Sequence, residues 1–178
     1  IINNNLDVFN NDSLSITLPK LLINKPLSSE TEYTIDDIAI EQIELAITYL
    51  HNGLYTEAKI NFIDALNLGA EILDIHYFEN LDFGAEQNNF MNILEEEINQ
   101  DSLNTSNYFY LGLINYKNNQ LEKSINYFTK YNEYYSNDIN ALLFLGKINE
   151  QLNNWLDAIF CYHRCLKIDS NNFNANLS

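Results

Sequence analysis

Apolar residues in the C-terminal half of this 178-residue chain recur on two scales. At short range, Tyr108, Leu111 and Ile114 stand three residues apart, as do Ile125 and Phe128. Spacings of three and four place side chains on one face of a helix. At long range, Leu111-Gly112 returns as Leu145-Gly146, at an offset of 34 residues. Ile114 returns at the same offset as Ile148, Asn119 as Asn153, Ile125 as Ile159, and Ser136-Asn137 as Ser170-Asn171. Helical spacing inside a 34-residue period predicts two helices per unit, joined by short turns and stacked on their neighbours.

The two clear units are 105–138 and 139–172. A third copy lies upstream at 39–72, where Leu45, Ala46, Tyr49, Gly53, Tyr55, Ala58, Phe62, Ala65 and Leu66 fall on the same register. Gly53 comes at the end of the first helix, where a left-handed residue is wanted. From Ala58 to Ser124 is 66 residues, two short of a double period. The stretch 73–104 therefore has room for one more hairpin with a two-residue deletion. Phe90, Ile93, Leu94 and Ile98 supply its apolar stripe, and Gly84 is a candidate turn. Its first part, Leu73–Phe83, fits either a helix or an irregular excursion, so this repeat is expected to be degenerate. After Asn172 the pattern restarts, with Phe173-Asn174-Ala175 aligned to Ile139-Asn140-Ala141. A truncated repeat is thus expected from 173, in a chain that is a window on a longer array.

Residues 1–35 do not share the period. They hold two asparagine clusters, Pro19 and Pro26, and a scatter of Leu and Ile. They are expected to be an arm or linker ahead of a solenoid covering 36–178. Thr34 is the expected N-cap before Asp36-Asp37.

The repeat resembles the tetratricopeptide family. Tyr108 and Leu142 stand at that family's large apolar position, followed by Leu111-Gly112 and Leu145-Gly146. Ser124 and Ala158 stand at its small position, and Phe128 and Tyr162 at its aromatic one. The resemblance implies an all-α helix–turn–helix repeat solenoid wound as a right-handed superhelix. It also implies a concave groove lined by the first helix of each hairpin. Carried over by register, the groove residues are Ile43, Glu44, Ile47 and Leu50; Phe109, Tyr110, Leu113 and Tyr116; and Leu143, Phe144, Lys147 and Glu150. Such a surface suits an apolar extended or helical segment of a partner, anchored on aromatic side chains. Family members that grip acidic chaperone C-termini use a clamp of Lys, Asn and Arg. The matching positions here hold Ile43, Ile47, Phe109, Leu113 and Leu143, with Lys147 alone basic. The expected function is a non-catalytic interaction scaffold or adaptor. The alternatives are a secretion-type chaperone for apolar segments, or the repeat arm of a larger enzyme such as a glycosyltransferase.

Charge divides the array. Between Glu30 and Asp101 there are 17 acidic residues and one basic residue, Lys59, whereas six of each sign follow Thr105. An acidic surface disfavours nucleic acid and favours basic partners. The expected partner is a protein or peptide with a basic or apolar segment, not nucleic acid. No apolar run approaches the ~20 residues of a membrane span. Cys161 and Cys165 share a helix face at i,i+4, but His163 between them points roughly 160–200° away at 3.6 residues per turn. They are expected in the core rather than on a metal. Two thiols without a disulfide framework favour the cytoplasm or another reducing compartment. No phosphate loop, nucleophile elbow or zinc-protease motif is present, and neither a catalytic activity nor a cofactor is expected.

Overall fold

The computed structural model describes residues 35–68, 75–101 and 104–170. The expected arm before Ile35 and the expected repeat start at 173 lie outside the described residues. Those residues form helices α1 (Ile35–His51), α2 (Tyr55–Asn67), α3 (Ile75–Asn80), α4 (Gln87–Gln100), α5 (Thr105–Lys117), α6 (Leu121–Tyr134), α7 (Ile139–Gln151) and α8 (Trp155–Ile168). The pairs α1/α2, α5/α6 and α7/α8 are hairpins; α5/α6 packs on α4 through α5, and α7/α8 stacks on α5/α6 through α6/α7. The fold is an all-α helical repeat.

Each second helix follows its apolar spacing. In α6, Ser124, Phe128 and Tyr131 are buried while Glu122, Lys123, Asn126, Thr129, Lys130 and Glu133 face solvent. The first helices α5 and α7 differ. Asn107 through Asn115 are all buried, as are Ile139 through Gly146. A helix covered on every side has neighbours on every side. Its own second helix and the adjacent hairpins account for only part of that cover.

The three hairpin turns are built alike. Leu54 N–H donates to the Tyr49 carbonyl at 3.0 Å and Gly53 N–H to that of Leu50 at 2.9 Å. Gln120 repeats this with Asn115 at 2.8 Å, and Asn119 with Tyr116 at 2.9 Å. Asn154 repeats it with Asn149 at 2.8 Å, and Asn153 with Glu150 at 3.0 Å. This bond pair closes a helix around one left-handed residue. That residue is Gly53 at φ +70°, Asn119 at +56° and Asn153 at +60°. Asparagine is among the few L-residues that enter this region routinely. Asn153→Ala is therefore expected to cost about 1 kcal/mol, and Asn153→Gly to leave the urea midpoint unchanged or higher.

The hairpin contacts repeat as well. Gly112 lies under the Phe128 ring and Gly146 under that of Tyr162. Ser124 Oγ donates to the Gly112 carbonyl at 2.7 Å, tying α6 to α5. Asp138 caps α7 by accepting from Ala141 N–H at 2.8 Å, and it also receives the Tyr131 hydroxyl at 3.0 Å.

The stretch 75–100 departs from this plan. α4 holds the register of a second helix, with Phe90 and Leu94 buried against its neighbours. Phe90 meets Phe62 of α2 at 5.8 Å between ring centroids. α3 has only six residues, and an irregular run from Leu81 to Gly84 follows it before α4. Its main helical contact is with α7, far along the chain, rather than with α4. The missing length of first helix is made up by Leu81 and Phe83, both buried, with Phe83 6.1 Å from Phe62.

One ion pair locks the front of the array. Lys59 Nζ of α2 lies 2.6 and 2.7 Å from the two carboxylate oxygens of Glu97 on α4. Asn107 of α5 adds a hydrogen bond at 2.8 Å. Burial works to raise the Glu97 pKa, but the bonds from Lys59 and Asn107 and the Lys59 charge together hold it below 4.5. A carboxylate depressed by folding adds stability above its unfolded pKa and loses it as pH falls through the folded value. The urea midpoint is thus expected to fall as pH drops below about 4.5, and to fall less steeply in Glu97→Gln.

Candidate protein-binding face

The first helices α1, α5 and α7 present one common face, and α3 lies across it. Phe78 is fully buried there, its ring 5.7 Å from Phe109 and 6.0 Å from Phe144. Phe144 also meets Tyr116 at 5.3 Å and stacks on Phe128 at 5.0 Å. Aromatic contacts at these distances add to the effect of burial itself. Next to this anchor, Glu79 takes polar contacts from both α5 and α7. Lys147 Nζ forms an ion pair with Glu79 Oε1. The Tyr116 hydroxyl donates to the same oxygen at 2.7 Å, and Lys117 Nζ donates to the Glu79 carbonyl at 2.8 Å. At the α1 end, His51 Nε2–H donates to the Asp82 carbonyl at 2.9 Å. A shallow cleft of about 280 Å³ between α1 and α3 is lined by Glu44, Ile47, Tyr77, Asn80, Leu81 and Asp82.

The electrostatics follow from this packing. Burial, then the bond and charge of Glu79, push the Tyr116 hydroxyl well above its ordinary pKa. Burial, then the Glu44 charge, raises Tyr77 to about 12. Burial lowers Lys117, while Asp82 and Glu79 pull the other way. Both tyrosines are neutral throughout the physiological range, and Tyr116 acts as a hydrogen-bond donor.

Register carries twelve residues onto the groove, some of which are expected to pack between repeats, and seven of them are buried. Ile43, Leu50, Phe109, Leu113, Leu143 and Phe144 are buried. Cover comes from neighbouring helices and, over Phe109 and Phe144, from Phe78. Tyr110 is buried for a different reason. Its ring lies 4.4 Å from Phe62, and its hydroxyl donates to the Phe62 carbonyl, so it points into the preceding hairpin. Glu150 is exposed but turned back to its own hairpin, accepting the Tyr162 hydroxyl at 3.0 Å. Ile47, Tyr116 and Lys147 are half-buried and Glu44 is exposed at the rim. Phe78, Glu79 and Lys117 belong to the face and were not foreseen. The one signal for them was the aromatic–acidic run Tyr77-Phe78-Glu79, in a stretch where the period fails.

Elsewhere, Cys161 and Cys165 are free and buried, and burial raises Cys165 to about 12. Its Sγ faces the Ile139 carbonyl at 3.8 Å, while His163 is exposed. Among the described residues, no three His, Cys, Asp or Glu side chains gather as a ligand set, and no helix is long and apolar enough to cross a membrane. On the outer side of α8, Leu156 and Phe160 are 84% and 62% exposed. Glu122 and Asn126 hold the equivalent places on α6 and are also exposed, although another hairpin follows them. These positions therefore lie on the outer surface of the array and not between hairpins.

Two-helix hairpins, of which the last two repeat at 34 residues and are each closed by a glycine beneath an aromatic, define a tetratricopeptide-like helical repeat. No family model matches the chain, and no curated protein matches it. Among solved structures it is similar to the C-terminal TPR-containing domain of an FK506-binding protein from Plasmodium falciparum, at 19% identity and a TM-score of 0.41. That match covers 82% of this chain and 88% of the other.

Proposed function

We propose that this chain is a protein-interaction module that holds a short segment of a partner across the first helices α1, α5 and α7. The observation that supports this reading most is the seat of α3. A six-residue helix is held on that face by one aromatic anchor and one charged side chain. A deep aromatic anchor with polar contacts beside it is how helical segments are commonly held in grooves. No chemical step is assigned to the module.

The test is a photo-cross-linking map on the full chain. Peptides selected from a random library would be bound to variants with a photoreactive residue at Glu44, Tyr116, Lys147, Ile60 or Phe160. Cross-links at Glu44, Tyr116 and Lys147 are expected. Cross-links confined to Ile60 and Phe160, which are 51% and 62% exposed on second helices, would reject the concave face.

A further inference from the structure

The three regular hairpins pair each first helix with its own second helix, but α3 leaves α4 and lies on α7 and α5 instead. We infer that α3 is an internal occupant of the binding face. The partner that displaces it is a short helical segment carrying an aromatic residue followed directly by a carboxylate. This rests on the reading above and adds the chemistry of the partner and the way the face is regulated.

Three observations carry it. First, α3 is far too short to be stable alone, since isolated helices of under ~12 residues are marginal in water. Its docking, and not its own hydrogen bonds, keeps it folded. Elements held in this way open locally without unfolding the rest.

Second, the contacts that tie α3 to α5 and α7 centre on two adjacent residues, while Tyr77 packs toward α1. Phe78 fills the space between Phe109 and Phe144. Glu79 takes up Lys147 and the Tyr116 hydroxyl. If α3 gave way to a partner without a carboxylate, a hydroxyl and an ammonium would lose their acceptor on a face that the partner then buries. A partner that restores a carboxylate avoids that cost, and one that brings a lysine meets Lys117 and Lys147.

Third, charge on the face is divided. The acidic excess of the chain lies upstream of Thr105, whereas Lys117 and Lys147 stand in the neutral part. An acidic residue beside an aromatic is therefore matched at the α5/α7 end, although the chain as a whole is strongly acidic.

A tethered occupant competes at high effective concentration, so the apparent affinity for a partner scales with the fraction of chains whose α3 is open. Weak binding by the native chain and strong binding by a chain with a loosened α3 follow.

The experiment uses the full chain and a fluorescein-labelled peptide with the sequence of residues 74–84, followed by fluorescence anisotropy. The Phe78→Ala variant is expected to bind it at least about tenfold more tightly than the native chain. A peptide with glutamine in place of its glutamate, or Lys147→Glu in the Phe78→Ala background, is expected to lose about as much. A Phe78→Ala chain of native helicity that gains no affinity overturns the inference.

Native-state hydrogen exchange of the unmodified chain provides a reading that does not depend on that variant folding. Amides of 75–84 are expected to exchange at least about tenfold faster than those buried in α5 and α7. Exchange of 75–84 only together with α5 and α7 makes α3 a fixed part of the core and overturns the inference. Cross-links at Tyr116 and Lys147 by a library peptide, with no gain in Phe78→Ala, leave the binding reading standing and remove this one.

Discussion

Phe144→Ala is expected to lower the stability of the array by about 3–5 kcal/mol, the range for truncating a fully buried phenylalanine. The ring is inaccessible to solvent and sits where three separate parts of the chain meet. It stacks on Phe128 of α6 at 5.0 Å, meets Tyr116 of α5 at 5.3 Å, and meets Phe78 of α3 at 6.0 Å. Phe109 lies 6.4 Å away. Removing it opens a cavity bordered by aromatic rings, which cannot collapse without moving helices. Phe160→Ala provides the contrast. It deletes the same atoms from the outer face of α8, where the ring is 62% exposed, and is expected to change stability by less than about 0.5 kcal/mol. Equilibrium urea unfolding of the two variants checks both. Similar midpoints would mean that the aromatic cluster does not carry the packing described here.

Phe144 also shows where the sequence was legible and where it was not. Its place on a first helix followed from the 34-residue offset. The offset works because hairpin packing demands the same residue type at the same place. A small residue must lie beneath an aromatic, and a left-handed turn needs Gly or Asn. Gly112, Gly146, Phe128 and Tyr162 announce the first rule, and Gly53, Asn119 and Asn153 the second.

What covers Phe144 could not be read in that way. Tyr77, Phe78 and Leu81 keep helical spacing for about one turn, Phe83 breaks it, and the 34-residue period does not extend over them. They are apolar because they meet α2, α5 and α7, and those contacts are set by tertiary structure alone. A hydrophobic pattern reports that a side chain is buried, not which segment buries it. The register that carried residues onto a groove is for this reason silent on which of them another segment covers. Tyr110 illustrates the same limit within one helix. It is adjacent to Phe109, yet it packs backward on Phe62.

The second large effect is expected at the glycine that marks the period. A Cβ on Gly146 would stand 2.5 Å from Cε1 of Tyr162, with two more ring carbons at 2.9 Å. No rotamer change relieves this, because the ring is buried and its hydroxyl is tied to Glu150 at 3.0 Å. α7 and α8 must move apart, or the Tyr162–Glu150 bond must break. Overpacking of this kind costs about 1–3 kcal/mol for an added methyl and more for a branched side chain. Against it stands the gain of about 1 kcal/mol when glycine in a helix interior becomes alanine. The 2.5 Å approach puts the overpacking toward the upper end of that range, so Gly146→Ala is expected to be destabilising by up to about 2 kcal/mol, and Gly146→Val by about 3 kcal/mol.

Gly112 makes the argument sharper, since it fills the same position with more room. A Cβ there would lie 3.0 Å from the Phe128 ring. The strain is smaller and the helix gain is the same, so Gly112→Ala is expected to be near neutral. A double-mutant cycle identifies the cause. If the Tyr162 ring is the obstacle, Tyr162→Leu should absorb most of the cost of Gly146→Ala, with a coupling energy of about 1 kcal/mol or more. Additive effects would place the cost elsewhere, in the helix backbone or the unfolded chain, and the close approach of α7 and α8 would not be the reason for glycine at this position.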